Sequence, residues 1–239
     1  MTYQQWQVSA DALAMLDFLF PMHGTGSSQE QPRKLRLYYC ALARQVWHAL
    51  PAAMRATVLA LEYLVDAPTD QTVLLNQLRE ISNNYHGFEG NPDDLREWEQ
   101  SLARIGFTAE PPTLCRAWNA FDANKLAVLV SLGCQPEAQH FRWVPAYFHR
   151  ADYVRDIFEY DVFDPSSFDS NWHTPAIIEQ CDQMYKSHDF SDMPALADKL
   201  EEAGCQSESI LEHCRDPHGM HARGCWVIDR ICMTDKKMR

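Results

Sequence analysis

Apolar positions recur every three to four residues along most of the chain, the repeat of helices that bury one face. Leu13, Leu16 and Phe20 share a face over residues 10–20, and Ser9 suits the N-cap of that stretch. Over residues 33–50, Leu37, Cys40, Ala41, Arg44 and Trp47 fall at helical intervals. Pro51 suits the first turn of a following helix over 52–65, which is rich in Ala and Leu. The spacing predicts a further helix over 70–85, with Leu74, Gln77, Leu78 and Ile81 along one side. Another runs from Asn91-Pro92 to about 105, where Gly106 stops it. Residues 113–132 carry apolar side chains on more than one side, among them Leu114, Trp118, Phe121 and Leu126. A helix of that kind belongs at the centre of its domain.

Punctuation then divides the chain. The segment 23–32 is a polar loop by composition, and Gly133 and Pro136 mark a break. That break suggests an N-terminal helical domain over 1–135 and a C-terminal module over 136–239, with a soft boundary that leaves a single domain open. The aromatic-rich stretch 141–168 is expected to hold a short helix and an extended loop. Thr174-Pro175 starts a helix through Tyr185, and Asp192 with Pro194 starts another that Gly204 stops. Arg223-Gly224-Cys225-Trp226 places a tight turn before a last apolar run. Strand-like alternation is nearly absent. The expected fold is all-α, an irregular multi-helix assembly with a compact C-terminal helical module.

Composition narrows the function classes. Seven Trp, nine Tyr and eleven Phe supply ample core material. The formal charge is −12, which repels phosphate backbones and anionic lipid heads. Arg33-Lys34-Leu35-Arg36 and the tail Lys236-Lys237-Met238-Arg239 are too short to reverse that balance. Nucleic acid and membrane are therefore not expected partners, whereas a basic protein surface suits this charge. The N-terminus lacks a signal-peptide pattern, and no apolar run approaches the roughly 18 residues that span a bilayer. Eight scattered cysteines then read as reduced thiols in a cytoplasmic protein.

Candidate chemistry concentrates between Met193 and Cys232, which holds four of the eight cysteines and three of the ten histidines. Cys205, His213, Cys214, His218, His221 and Cys225 are donors that zinc accepts in tetrahedral sets. The spacing His218-x2-His221-x3-Cys225 brings three donors together if that stretch is helical. No C-x2-C pair accompanies them, and Cys225 and Cys232 lie in an apolar run, so buried thiols and loop histidines are the simpler reading. A cysteine nucleophile finds no ready base: His213 and Cys214 are adjacent and do not face each other on a helix, and Cys40 lies about two turns from His48. The acidic run Asp152, Asp156, Glu159, Asp161, Asp164 offers oxygen ligands for a hard cation but lacks the EF-hand pattern; Arg150 and Arg155 stand near enough to pair with it. Only nine glycines are present, and neither phosphate-cradling loop, nor H-E-x-x-H, nor G-x-S-x-G occurs.

Three blocks in this segment carry a resemblance. They are Leu196-Ala197-Asp198-Lys199-Leu200-Glu201-Glu202-Ala203-Gly204-Cys205, Ile210-Leu211-Glu212-His213-Cys214-Arg215 and His221-Ala222-Arg223-Gly224-Cys225-Trp226-Val227-Ile228-Asp229. With Val154-Arg155-Asp156-Ile157-Phe158 and Trp172-His173-Thr174-Pro175 upstream, they resemble an uncharacterised, repeatedly duplicated bacterial family. Met15-Leu16-Asp17-Phe18-Leu19, Arg33-Lys34-Leu35-Arg36-Leu37 and Val46-Trp47-His48 follow the same order near the N-terminus. The likeness covers about the first fifty and last eighty-five residues. Asp216-Pro217-His218-Gly219-Met220 departs from that family's tight Pro-Gly turn. The family implies no activity or cofactor. The leading expectation is a non-enzymatic interaction or regulatory protein, a subunit or partner in a larger bacterial complex. The alternative is a zinc-binding protein or metal-dependent enzyme using the C-terminal Cys/His cluster.

Overall fold

The computed structural model describes residues 1–20, 30–47, 50, 52–66, 149–163 and 169–238, with 76, 100 and 104 as isolated positions. The described residues are helical with no strand, as the spacing predicts. The helices expected over 70–85, 91–105 and 113–132 lie outside the continuously described residues.

Two compact units emerge, and their division differs from a simple cut near residue 135. One consists of residues 1–12 together with 151–239, and the other of residues 13–150. The N-terminal segment thus belongs with the C-terminal module, a long-range pairing that no local signal announces.

In the 13–150 unit, α2 (Ala12–Leu19), almost all of which belongs here, buries Met15 and Leu16. Next come α3 (Glu30–Gln45) and α4 (Ala52–Asp66), which pack on each other. Leu35, Tyr38, Tyr39 and Leu42 of α3 and Val58 and Leu61 of α4 are buried at helical spacing. Arg44 reaches across to Glu62 through two hydrogen bonds of 2.8 and 2.6 Å. Residue Ser9 departs from the expected N-cap role. It ends α1 (Tyr3–Val8), and its hydroxyl accepts the Asp11 N–H before α2 begins. That first helix starts with a capping box in which Thr2 and Gln5 satisfy each other's backbone N–H groups.

The other unit is built from α1, α5 (Ala151–Phe163), α6 (Pro175–Ser187), α7 (Met193–Glu202), α8 (Glu208–Arg215) and α9 (Trp226–Met238), with a short 3-10 turn at Ser170–Trp172. Thr174 caps α6 by accepting the Ile177 N–H, and Pro175 sits in its first turn, as read from the sequence. Gly204 ends the α7 segment with φ +91, a conformation that costs other residues a Cβ clash. Ile177, Cys181 and Met184 of α6 meet Leu196 and Leu200 of α7, Ile210 of α8, and Val227, Ile228 and Ile231 of α9 in one apolar core. Each such aliphatic contributes about 1.5–3 kcal/mol on full burial. Among the described residues no helix is long and apolar enough to cross a membrane.

Candidate metal centre

Asp156 enters the site from α5. Val154, Ile157 and Phe158 bury the apolar stripe of that helix, and Asp156 lies at its edge with 2% of its surface exposed. A buried carboxylate needs strong partners. Its Oδ1 lies 2.8 Å from His221 Nδ1 and 3.2 Å from His213 Nε2, while its Oδ2 accepts the Ala222 N–H at 2.9 Å.

His213 stands in the last turn of α8, three residues after buried Ile210 and beside buried Cys214. Its Nε2 also lies 3.3 Å from Cys225 Sγ, and its Nδ1 accepts the Trp226 indole N–H at 3.2 Å. That indole bond puts the proton of the neutral ring on Nε2, facing Asp156 and Cys225.

His221 belongs to the loop between α8 and α9, which is not helical. The Asp216 carboxylate accepts the His218 N–H, and the Asp216 carbonyl accepts the Gly219 N–H, so the loop folds back on itself. A Cβ at Gly219 would stand 3.1 Å from His221 Nε2 and 3.3 Å from the Asp216 carbonyl, so the bare backbone there lets the ring lie close. The Nε2 atom is shielded from solvent and has no hydrogen-bond partner.

Cys225 sits at the start of α9. Gly224 takes φ +104 to turn the chain into that helix, which is the tight turn expected from the sequence. The Gly224 N–H donates to the Tyr185 hydroxyl, which in turn donates to Asp229 at 2.6 Å. This bond network fixes the point where Cys225 leaves the loop. The Cys225 carbonyl accepts the Asp229 N–H, and its sulfur receives the Ile228 N–H, so the thiol faces the positive end of the helix.

Asp156, His213, His221 and Cys225 form a potential metal-binding group, with one donor atom from each within 4.8 Å of the others. Donors on a tetrahedral zinc stand about 3.3–3.6 Å apart for bonds of about 2.0–2.3 Å. The His213 contacts to Asp156 and Cys225, at 3.2 and 3.3 Å, are close to that spacing. The 2.8 Å between Asp156 and His221 is a hydrogen-bond length and has to open by about half an ångström.

The electrostatics follow from these contacts. Burial alone raises the Asp156 carboxyl, but hydrogen bonds from His213 and His221, together with their charge, outweigh it and hold the group at about 2. Burial alone lowers His221, and the same carboxylate overcomes it and raises the ring. Burial and the Asp156 charge push the Cys225 thiol well up. Without a cation beside it the sulfur is therefore a thiol, a poor nucleophile.

Of the six candidates read from the sequence, His213, His221 and Cys225 come together. Cys205 and Cys214 are buried in the apolar core, where burial raises both thiols. His218 is exposed on the loop and lines the neighbouring cavity. Trp226 is a core side chain that also holds His213. In the sequence Asp156 is one member of an acidic run, and the same-face residue Tyr153, three positions before it and buried, is the available sign that it faces inward.

A cavity of roughly 540 Å3 adjoins the group. Asp156, His213 and His221 line it, as do Tyr3, Gln7 and Glu159. No family model, no curated protein and no solved structure matches the chain, so the reading of this centre rests on its own geometry.

Proposed function

We propose that the protein binds one divalent transition metal of the zinc class through Asp156, His213, His221 and Cys225. The observation that supports this most is the convergence of one carboxylate, two imidazoles and one thiol from α5, α8, the following loop and the start of α9. That donor set is borderline in softness, which favours zinc over calcium or magnesium. The Ile228 N–H and the α9 terminus stabilise a thiolate once a cation displaces the Cys225 proton. All four donors also fall inside the motif blocks through which the chain resembles the bacterial family.

A bound metal takes the place of the proton on His213 Nε2. The neutral ring must then carry its proton on Nδ1, where Trp226 already donates, so the indole contact has to yield. The metal also ties α5, α8 and α9 together, and binding free energy of this kind adds to folding stability. The interaction role expected from the sequence has no comparable support among the described residues, so the metal reading takes first place.

Metal analysis of the purified protein tests it. One equivalent of zinc per chain is expected, with a rise in melting temperature on zinc addition to chelator-treated protein. Cys225→Ser and His213→Ala reduce both, and Cys214→Ala leaves the stoichiometry intact. Less than half an equivalent in the zinc-supplemented wild type, with no thermal shift, overturns the proposal.

A further inference from the structure

The cavity beside the four donors is more than a gap in packing. Three of the four donors line it, so a ligand in the cavity can reach a four-coordinate metal from that side as a fifth donor. Its volume suits a small ligand. His221 has only 6% of its side chain exposed, lines the cavity and carries the buried Nε2 without a hydrogen-bond partner. Glu159, 8% exposed, also lines it and is held in place by Gln7 at 2.6 Å.

The charge of the lining sets what can enter. Five carboxylates line the cavity, from Asp152, Asp156, Glu159, Glu212 and Asp216, against one guanidinium, that of Arg155, and three imidazoles, of which His213 and His221 are metal donors. Arg155 is already engaged with the Asp152 carboxylate and with the Trp6 and Ser9 carbonyls. Asp156 and a Cys225 thiolate neutralise a divalent ion between them. Glu159, Glu212 and Asp216 then leave the cavity negative, so an anionic ligand is repelled and a cationic one drawn in.

Resting on the metal reading, we infer that the cavity admits a small cationic ligand. It is an amine or amidine compound that places a neutral nitrogen donor on the cavity side of the metal, as a fifth ligand, and its charge near Glu159 and Glu212. Coordination by this donor forms one metal–nitrogen bond, takes the metal from four to five ligands with no protein donor displaced, and requires no redox step.

Cobalt(II)-loaded protein, prepared from the full chain, makes the test optical, because a thiolate-ligated cobalt absorbs in the visible range. Two pyridines of opposite charge serve as probes: 4-(aminomethyl)pyridine and pyridine-4-carboxylate. The expected result is a change in the cobalt spectrum that is half complete at a concentration at least tenfold lower for the cationic probe. Glu212→Gln, at an exposed position, narrows that ratio, and Glu212→Lys narrows it further. A cobalt spectrum that responds to neither probe overturns this inference while leaving the metal reading standing. Equal response to both, or preference for the carboxylate, overturns it as well. Absence of any thiolate-to-cobalt band overturns the metal reading, and this inference with it.

Discussion

Each unit of the protein buries a carboxylate almost completely, and the two are satisfied in different ways. In the 13–150 unit, Glu62 is 3% exposed and receives two hydrogen bonds from Arg44. A guanidinium keeps its proton under ordinary conditions, so Arg44 stays a cation and ties α3 to α4. In the other unit, Asp156 is 2% exposed and is shared between two imidazoles and a backbone N–H. Imidazoles change protonation near neutral pH and also ligate metals. Burial of charge is common to both sites; the partner in one is a fixed cation and in the other a pair of rings of the kind that ligate metals.

The largest expected effect separates the two. Asp156→Ala leaves two half-buried imidazoles and the buried Ala222 N–H without their carboxylate, and should cost about 3–5 kcal/mol in the metal-free protein. Zinc stoichiometry falls with it. Glu62→Ala should cost somewhat less, about 2–3 kcal/mol, because Arg44 is 21% exposed and can recover water. It should leave zinc stoichiometry unchanged. Denaturant unfolding with metal analysis of both variants checks the contrast. Equal zinc loss in the two would erase it.

A smaller effect is expected from pH in chelator-treated protein. The Asp156 carboxyl is lowered from 3.8 to about 2, so its ionised form favours the folded state. Its contribution, on the order of 2 kcal/mol, is present above about pH 4 and lost as pH falls towards 2. His221 works in the opposite sense. Its folded value is raised above 6.5, so its contribution is complete below that pH and disappears as pH rises through the folded value. The two describe one shared ion pair and are not added together. Saturating zinc should flatten the alkaline side, because a metal-bound ring no longer titrates. Thermal melts across pH with and without zinc report both limbs.

The smallest expected effect concerns Trp226. Trp226→Phe removes one indole hydrogen bond, which should cost about 1 kcal/mol in the metal-free protein. The same change frees His213 Nδ1 to carry its proton, so zinc affinity should rise by several-fold instead of falling. Competition titration against a chromophoric chelator measures it. A drop in affinity would mean that the indole supports the metal-bound ring.

The sequence alone determined the helical character of the described chain and several of its joints. Thr174-Pro175, Gly204 and Gly224 act through their own backbone geometry, and they stand where local chemistry puts them. Helical spacing also correctly separates His213 from its neighbour Cys214, which points into the apolar core. Donor type and proximity along the chain also brought in His218 and Cys205; His218 lies exposed on the loop and Cys205 is buried among aliphatic side chains.

Only the tertiary structure brought Asp156 into the potential metal-binding group. Asp156 lies 65 positions before His221, in a run of acidic residues that looks like a solvated face. Carboxylates are too common in this chain for one of them to stand out by type. What singles it out is the packing of α5 against α9, which removes water from that carboxylate and leaves imidazoles as its partners. Local sequence sets backbone conformation through short-range sterics and hydrogen bonds, whereas the environment of a charge is set by every element that closes around it.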